Sequence, residues 1–274
     1  MPSNEVIYRH TLGTRVLHWV NALCVVLLIM SGLQIFNAHP RLYWGQYGAN
    51  SDQAALAIEA TYSPAGRPLG IVRIGHHQLP TTGVLGISRD AQGDLLERAF
   101  PIWLTIPSYQ DLATGRRWHF FFAWLLVINS AIYYAMSFLR RHIQYDLWPS
   151  RAQWAPINIA RDFLDHLRLR LPSGDAAREY NPLQKLAYLT VLFIVAPMIL
   201  VTGLTMSPGL DAAFPWLPSL FGGRPSARTV HFICAISVGL FIVVHVTMVI
   251  LAGPINELRS MITGRYVLPS RDAP

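Results

Sequence analysis

Apolar residues are concentrated in four long windows of the chain, and polar residues lie between them. The windows cover residues 16–36, 118–139, 186–206 and 229–253. None contains Asp, Glu, Lys or Arg, and each has about the 20 residues that a helix needs to cross a bilayer. Membrane helices tolerate Pro197, in the third window, when neighbouring helices satisfy the carbonyl group that proline frees. The pattern predicts four transmembrane helices.

The composition supports a membrane protein. Of the 274 residues, 52% are hydrophobic and 14% are charged, whereas soluble domains have about 25% charged residues. The net charge of +7 does not indicate nucleic-acid binding, because the basic residues flank the apolar windows, where they suit lipid headgroups. Cys24 and Cys234 lie in apolar windows outside any CxxC motif, which is typical of small buried side chains. We predict one all-α membrane domain over residues 1–274.

The distribution of basic residues predicts the orientation of the helices. Four spans place both termini on one side of the membrane. Residues 1–15, 140–185 and 254–274 hold 13 Lys and Arg residues, against 9 in residues 37–117 and 207–228. Because basic residues are enriched in cytoplasmic loops, both termini and the loop 140–185 are predicted to be cytoplasmic. The first window is interpreted as a retained helix, since no A-x-A cleavage site follows it.

Residues 37–117, the insertion, separate the first two windows by 81 residues, more than a simple connection needs. Ser51 is a suitable cap for a short helix over residues 52–60. Residues 79–88 are predicted to be extended or turning, and residues 95–106 are apolar but interrupted by a proline. The insertion is expected to fold back over the extracytoplasmic membrane surface, as a structural lid or as a docking surface.

Four histidines lie inside the apolar windows: His18, His119, His231 and His245. Ionisable residues in membrane spans are rare and usually functional. His231 and His245 are 14 residues apart, so they share one helix face about 21 Å apart along the axis. His18 matches the depth of His245 near the inner surface, and His119 that of His231 near the outer surface. Two such pairs indicate two haem irons, each between two imidazoles, in a transmembrane path for electrons.

Other interpretations of these histidines are open. A single membrane histidine is often a packed polar residue that bonds to a neighbouring helix. A proton-relay transporter also uses intramembrane ionisable groups, but it usually includes Asp or Glu, which the four windows lack. A zinc or copper site is disfavoured, because no cysteine or carboxylate accompanies the pairs.

Four further residues have two interpretations each. Gly32 lies 14 residues after His18, and its missing side chain gives room either to a porphyrin or to close helix packing. Arg15, Arg117 and Arg228 lie within three residues of a proposed ligand. These arginines could pair with haem propionates or could act as ordinary anchors at the membrane interface.

The arrangement resembles the bacterial dihaem cytochrome b superfamily. This superfamily includes cytochromes of the b561 type and the membrane cytochrome b subunits of formate dehydrogenase, nickel–iron hydrogenase and thiosulfate reductase. The resemblance covers all four windows, and its most specific element is H-x13-H in the last one. It implies a four-helix bundle in a bacterial inner membrane with two haem b groups. It also implies the ligand pairs His18 with His245 and His119 with His231.

A second element of the resemblance precedes the third window. Residues 180–185 read Tyr-Asn-Pro-Leu-Gln-Lys and are similar to a segment of formate dehydrogenase membrane subunits, where the asparagine lies at the quinone pocket. This implies a quinone contact for Asn181, although Leu183 replaces a glycine there. Asn181 before a proline is also typical of a helix N-terminus. Residues 79–88, 181–208 and 261–264 look most like the thiosulfate reductase subgroup.

The resemblance implies an electron carrier between the quinone pool and a periplasmic partner, often a molybdenum-containing oxidoreductase, that docks on the insertion. The rival hypothesis is a stand-alone superoxide:quinone oxidoreductase with the same haems. A basic funnel between short loops would suit superoxide, whereas an insertion with 7 basic and 6 acidic residues suits a protein surface. A haem-free transporter or scaffold is the third hypothesis. The direction of electron flow and the oligomeric state stay open, a homodimer included.

Overall fold

The computed structural model describes residues 5–141, 143, 147–151, 153–168 and 181–268. The helices in these residues are α1 (Leu12–Phe36), α2 (Leu112–Leu139), α3 (Pro156–Leu167), α4 (Pro182–Thr190), α5 (Ala196–Thr205), α6 (Pro208–Ala213), α7 (Arg224–Leu251) and α8 (Pro254–Thr263). Four helical segments of this part of the chain are long and apolar enough to cross a membrane: α1, α2, α4 with α5, and α7. The four predicted spans are thereby confirmed, and each helix begins four to six residues before its apolar window.

The third span contains a widened turn just before its proline. A π-helical turn, Val191–Val195, connects α4 to α5. Pro197 has no N–H group and its ring crowds the carbonyl group four residues earlier, so a wider preceding turn relieves the overlap. The hydroxyl group of Tyr134 donates to the carbonyl oxygen of Leu192 inside this turn. A neighbouring helix therefore satisfies a carbonyl group of the interrupted helix, as a proline in a span requires.

The insertion is built from β-strands. Its strands are β2 (Arg41–Leu42), β3 (Leu56–Tyr62), β4 (Pro68–Ile74), β5 (His77–Pro80), β6 (Gly86–Arg89) and β7 (Leu95–Arg98), after β1 (Val6–Tyr8) near the N-terminus. Strands β2 to β5 form one antiparallel sheet in sequence order, and β6 pairs with β7. The prediction of an all-α protein is therefore wrong for the insertion. The extended or turning structure predicted for residues 79–88 is confirmed.

The predicted helix over residues 52–60 is also wrong. Residues 56–60 belong to β3, in which Ala57 pairs with Arg73 of β4 and Ala57 and Ile58 are buried. The predicted cap, Ser51, lies in a turn in which Asp52 accepts a hydrogen bond from the amide of Ala49. The alanines of this stretch allow a helix, but the ladder to β4 buries the segment and decides its conformation.

The insertion has its own apolar core beside the end of α1. Phe36, Leu42, Ile58, Val72, Ala99 and Phe100 form one buried cluster. Arg98 is buried next to it and donates to Gln34 Oε1 at 2.6 Å and to the carbonyl oxygen of Ser108 at 2.7 Å. Burial lowers the pKa of Arg98. These bonds attach β7 to α1 and give both Nη atoms of the buried cation polar acceptors, as a buried charge requires.

The chain divides into two compact units. The terminal unit comprises Met1–Asn21, Ile128–Pro197 and Ser237–Pro274, and the insertion unit comprises Ala22–Val127 and Met198–Ile236. In the terminal unit, β1 pairs antiparallel with β8 (Arg265–Val267), with Ile7 opposite Tyr266. The first and last described strands therefore lie side by side, which agrees with an even number of spans.

Candidate haem-binding sites

Each unit brings two of the intramembrane histidines together. In the insertion unit, the rings of His119 on α2 and His231 on α7 have centres 6.2 Å apart and planes at 63°. In the terminal unit, the rings of His18 on α1 and His245 on α7 have centres 6.3 Å apart and planes at 67°. The structure thus forms the two pairs that the sequence predicted by depth.

The separation of the rings suits a single metal ion between them. The paired rings lie close enough for the two imidazoles of each pair to hold one iron-containing group between them. In the described residues, no group of three or more His, Cys, Asp or Glu side chains could hold a metal. A structural zinc site needs four protein ligands, whereas haem iron takes only its axial ligands from the protein. The donor set therefore fits haem.

Hydroxyl groups contact both imidazoles of the pair in the insertion unit. Ser31 Oγ of α1 lies 3.1 Å from Nδ1 of His119. Thr202 Oγ1 of α5 lies 3.1 Å from Nδ1 of His231, and the carbonyl oxygen of Ile199 lies 3.0 Å from the same nitrogen. Since Nδ1 of each ring has a protein partner, Nε2 is the nitrogen available to a metal ion.

Aromatic side chains pack around the pair in the terminal unit. Phe241 lies one turn before His245 on α7 and stacks on its ring, with centres 5.8 Å apart and planes at 9°. Tyr188 of α4 contacts the edge of Phe241 at 6.1 Å between centres. Trp19 lies at 5.5 Å from the ring of His18 in an edge arrangement. This packing restricts the rotamers of both histidines.

A buried amide fixes α1 beside His18. Asn129 of α2 is 5% exposed, and its Nδ2 donates to the carbonyl oxygen of Leu17 at 3.0 Å and to Asn21 Oδ1 at 2.6 Å. An asparagine buried in a span needs such partners. The sequence analysis missed both asparagines, although an amide inside an apolar window was a usable signal.

Asn129→Leu is expected to destabilise the protein by about 0.6–1.7 kcal/mol, the range measured for hydrogen bonds between membrane helices. Leucine has a similar volume but leaves two acceptors on α1 without their donor. Thermal unfolding of the detergent-solubilised protein measures the effect. Thr247→Val is the control, because Thr247 is exposed and bonds to Val243 of its own helix. Equal unfolding temperatures for wild type and Asn129→Leu would show that the hydrogen bonds from Asn129 to α1 do not stabilise the protein.

Two arginines predicted near propionates bond to backbone carbonyl groups. Arg15 Nη1 donates to the carbonyl oxygen of Ile262 on α8. Arg228 Nη2 donates to that of His39 at 2.6 Å. Arg15 Nε is buried, and none of the described residues accepts a hydrogen bond from it. Arg117, by contrast, is exposed on α2.

Asn181 caps α4. Its Oδ1 accepts from the amide of Gln184 at 2.8 Å, the Gln184 side chain accepts from the amide of Asn181, and Pro182 follows as the first helical residue. This reciprocal arrangement is a capping box. The structure therefore shows the helix-terminal role of Asn181, while the predicted quinone contact stays a prediction.

Four apolar helices with facing histidine pairs are typical of membrane cytochromes b. The chain belongs to the prokaryotic cytochrome b561 family, whose profile matches residues 9–264. The protein is thus an integral membrane protein of the cytochrome b561 electron-transfer type, and its family implies b-type haem. The predicted resemblance is confirmed.

The chain is also similar to a protein of Azospira oryzae named "Putative protein-methionine-sulfoxide reductase subunit YedZ1". The two sequences are 28% identical over 264 residues, which cover 96% of this chain and 99% of the relative. The similarity therefore extends over the spans and the insertion alike.

Proposed function

We propose that this protein carries electrons across a bacterial inner membrane between the quinone pool and a periplasmic oxidoreductase. The observation that carries the proposal is the facing imidazole pair in each unit, with ring centres 6.2 and 6.3 Å apart. Two bound haem b groups would supply one-electron oxidation and reduction. His18 with His245, and His119 with His231, would hold one group each.

The histidines determine what such sites do. An iron held by two imidazoles from the protein would have no position left for oxygen or substrate, which would favour electron transfer over chemistry at the metal. His231 and His245 are 14 positions apart on α7, which corresponds to about 21 Å of helix axis. A helix with this spacing would offer one imidazole to a site towards each membrane surface.

Arg15 is the better supported of the two proposed propionate partners. Its buried Nε is aligned with no acceptor among the described residues, and a buried guanidinium nitrogen needs one. A propionate of the group held by His18 and His245 would supply that acceptor. Arg228 is proposed in the same role for the group held by His119 and His231, through guanidinium nitrogens other than the Nη2 that binds His39.

Quinone would react beside the pair of His18 and His245. This pair would lie towards the cytoplasmic side of the membrane, the side on which both termini and the loop 140–185 are proposed to lie. Asn181 is the proposed quinone contact. The assignment rests on the similarity of residues 180–185 to a quinone-site segment.

The insertion is the proposed docking surface for the partner, outside the cytoplasm. Its charges largely neutralise one another: Glu59 contacts Arg41 and Arg73 at 2.9 Å each. Large side chains remain exposed, among them Tyr47 at 80% and Trp103 at 69%. Neutral surfaces with exposed aromatic residues are typical of protein interfaces. The name of the Azospira relative supports a reductase as the partner, and the resemblance suggests that this reductase contains molybdenum. A partner that reduces its substrate would draw electrons outward from quinol.

A reduced-minus-oxidised spectrum of the purified protein, with a pyridine haemochrome count, tests the haem assignment. We expect a b-type spectrum and two haems per chain. Addition of a reduced quinone analogue tests whether quinol donates electrons to this protein. The analogue should reduce both haems in the absence of any other protein. A chain that binds no haem would overturn the proposal and favour a transporter or scaffold.

The second candidate function is a superoxide:quinone oxidoreductase without a partner subunit. The same ligand pairs would serve it, but the 81-residue insertion favours a protein partner. Rapid reduction of quinone by superoxide in the purified protein would support this second candidate against the first.

A further inference from the structure

The two histidines of the insertion unit are contacted by the same dipeptide pattern on two different helices. Ser31 and Gly32 of α1 contact the ring of His119, and Thr202 and Gly203 of α5 contact the ring of His231. In both cases the hydroxyl group meets Nδ1 and the glycine lies against the Cε1 edge of the ring. Ser31 and Thr202 are both fully buried.

The hydrogen bonds show which way each hydroxyl group points. Ser31 Oγ donates its one proton to the carbonyl oxygen of Leu27 at 2.6 Å. Thr202 Oγ1 donates to that of Met198 at 2.7 Å. A hydroxyl group whose proton is used in this way can only accept from a third partner. Each imidazole must therefore donate an Nδ1–H proton to its hydroxyl oxygen.

A second acceptor supports this assignment at His231. The carbonyl oxygen of Ile199 lies 3.0 Å from Nδ1, and a carbonyl group cannot donate. Nδ1 of His231 therefore carries the proton, and Nε2 has the free lone pair. The same tautomer follows for His119 from the direction of the Ser31 hydroxyl group.

The glycines make these contacts sterically possible. A Cβ atom on Gly32 would lie 3.4 Å from Cε1 of His119, and one on Gly203 would lie 3.3 Å from Cε1 of His231. Distances in this range are already tight for a methyl group, and a larger side chain would push the ring away from its hydroxyl partner. Glycine lets each ring lie directly against the helix that supplies the acceptor.

We propose that Ser31 and Thr202 are positioning residues that hold His119 and His231 in the Nδ1–H tautomer, Thr202 together with the carbonyl oxygen of Ile199, so that both Nε2 atoms are presented to one haem iron. The proposal rests on the function proposed above for this pair. An acceptor at Nδ1–H increases the basicity of the imidazole and so stabilises the oxidised iron. Both hydroxyl groups therefore lower the midpoint potential of this haem and leave the other haem unaffected.

Thr202→Val and Ser31→Ala test the proposal, because each removes one hydroxyl acceptor with little change of volume. The measurement is a redox titration of the purified protein followed at the haem absorption band. We expect two haems per chain in both variants, and an upward shift of one of the two midpoint potentials. His231→Ala identifies the potential that belongs to this pair, because it should remove that component.

Two further variants separate positioning from packing. Thr202→Ser retains the hydroxyl group and should keep the wild-type potential. Thr205→Val is the matched control on α5: Thr205 is equally buried, but its hydroxyl group donates to the carbonyl oxygen of Thr202. This control should leave both potentials unchanged.

The outcomes are distinguishable. If Thr202→Val and Ser31→Ala both leave the potential of the His231 component unchanged, the positioning role is wrong while the haem assignment stands. If Thr202→Ser shifts the potential as much as Thr202→Val, the effect is packing and the proposal also fails. If His231→Ala removes no haem, the proposed ligand pair itself is wrong.

Discussion

His245→Ala is expected to lower the haem content from two groups per chain to one, and His18→Ala is expected to do the same. The rings of these residues have centres 6.3 Å apart, so loss of either imidazole would remove a proposed ligand of the same haem. The pair of His119 and His231 lies in the other unit and should keep the haem proposed for it. The remaining haem should give a b-type spectrum with a single midpoint potential.

The measurement is a pyridine haemochrome assay with a protein determination on detergent-purified variants. His77→Ala is the matched control, because His77 is exposed on β5, and it should retain both haems. The double variant of His18 and His245 should lose no more than either single variant, since both residues serve one site. Two haems per chain in both single variants would show that the ligand assignment is wrong.

Gly86→Ala is expected to destabilise the insertion by several kcal/mol. Gly86 has a φ of +77°, where an L-residue is strained, and this strain costs about 1–3 kcal/mol. An added Cβ atom would also overlap the carbonyl oxygen of Glu59 and lie 2.9 Å from Cα of Gly70. These neighbours are backbone atoms of β3 and β4 and cannot turn away, so overpacking adds about 1–3 kcal/mol. The expected total is about 2–6 kcal/mol.

Limited proteolysis of the purified protein measures this effect, because cleavage within the insertion reports its local unfolding. Gly83→Ala is the first control: Gly83 has a φ of +93° but no atom near its Cβ position, so it carries the backbone strain alone. Gly209→Ala in α6 has neither strain nor a close contact and should leave the cleavage rate unchanged. A cleavage rate for Gly86→Ala no higher than for Gly83→Ala would refute the proposed overlap between β6 and the sheet.

The transmembrane helices and the histidine pairs could be predicted because their signals are local. An apolar window of about 20 residues must form a helix to cross the bilayer, because the hydrocarbon offers no hydrogen-bond partners and the backbone N–H and C=O groups must bond to each other. Once the helices are assigned, the spacing of His231 and His245 determines their shared face. The places of His18 and His119 in their windows then indicate that His18 matches the depth of His245 and that His119 matches the depth of His231.

The insertion could not be predicted in the same way. Residues 56–60 are compatible with either conformation, and their pairing with β4 across a turn, together with burial of Ala57 and Ile58, decides for a strand. Strand propensity depends on such neighbours more than helix propensity does. The positions of Gly70 and Gly86 in the sequence likewise give no sign that the two glycines approach each other closely.

By itself, the sequence determined the number of the spans, the four intramembrane histidines and the resemblance to cytochromes b, because hydropathy and helical periodicity act over neighbouring residues. Only the tertiary structure decided the sheet of the insertion, the tie of Asn129 to α1, and the hydroxyl acceptors at His119 and His231. Each of these depends on a partner far away in the sequence: Ser31 is 88 residues from His119, and Thr202 is 29 from His231. Hydrogen bonds and close contacts act over a few ångströms in space, so they exist only after the chain has folded.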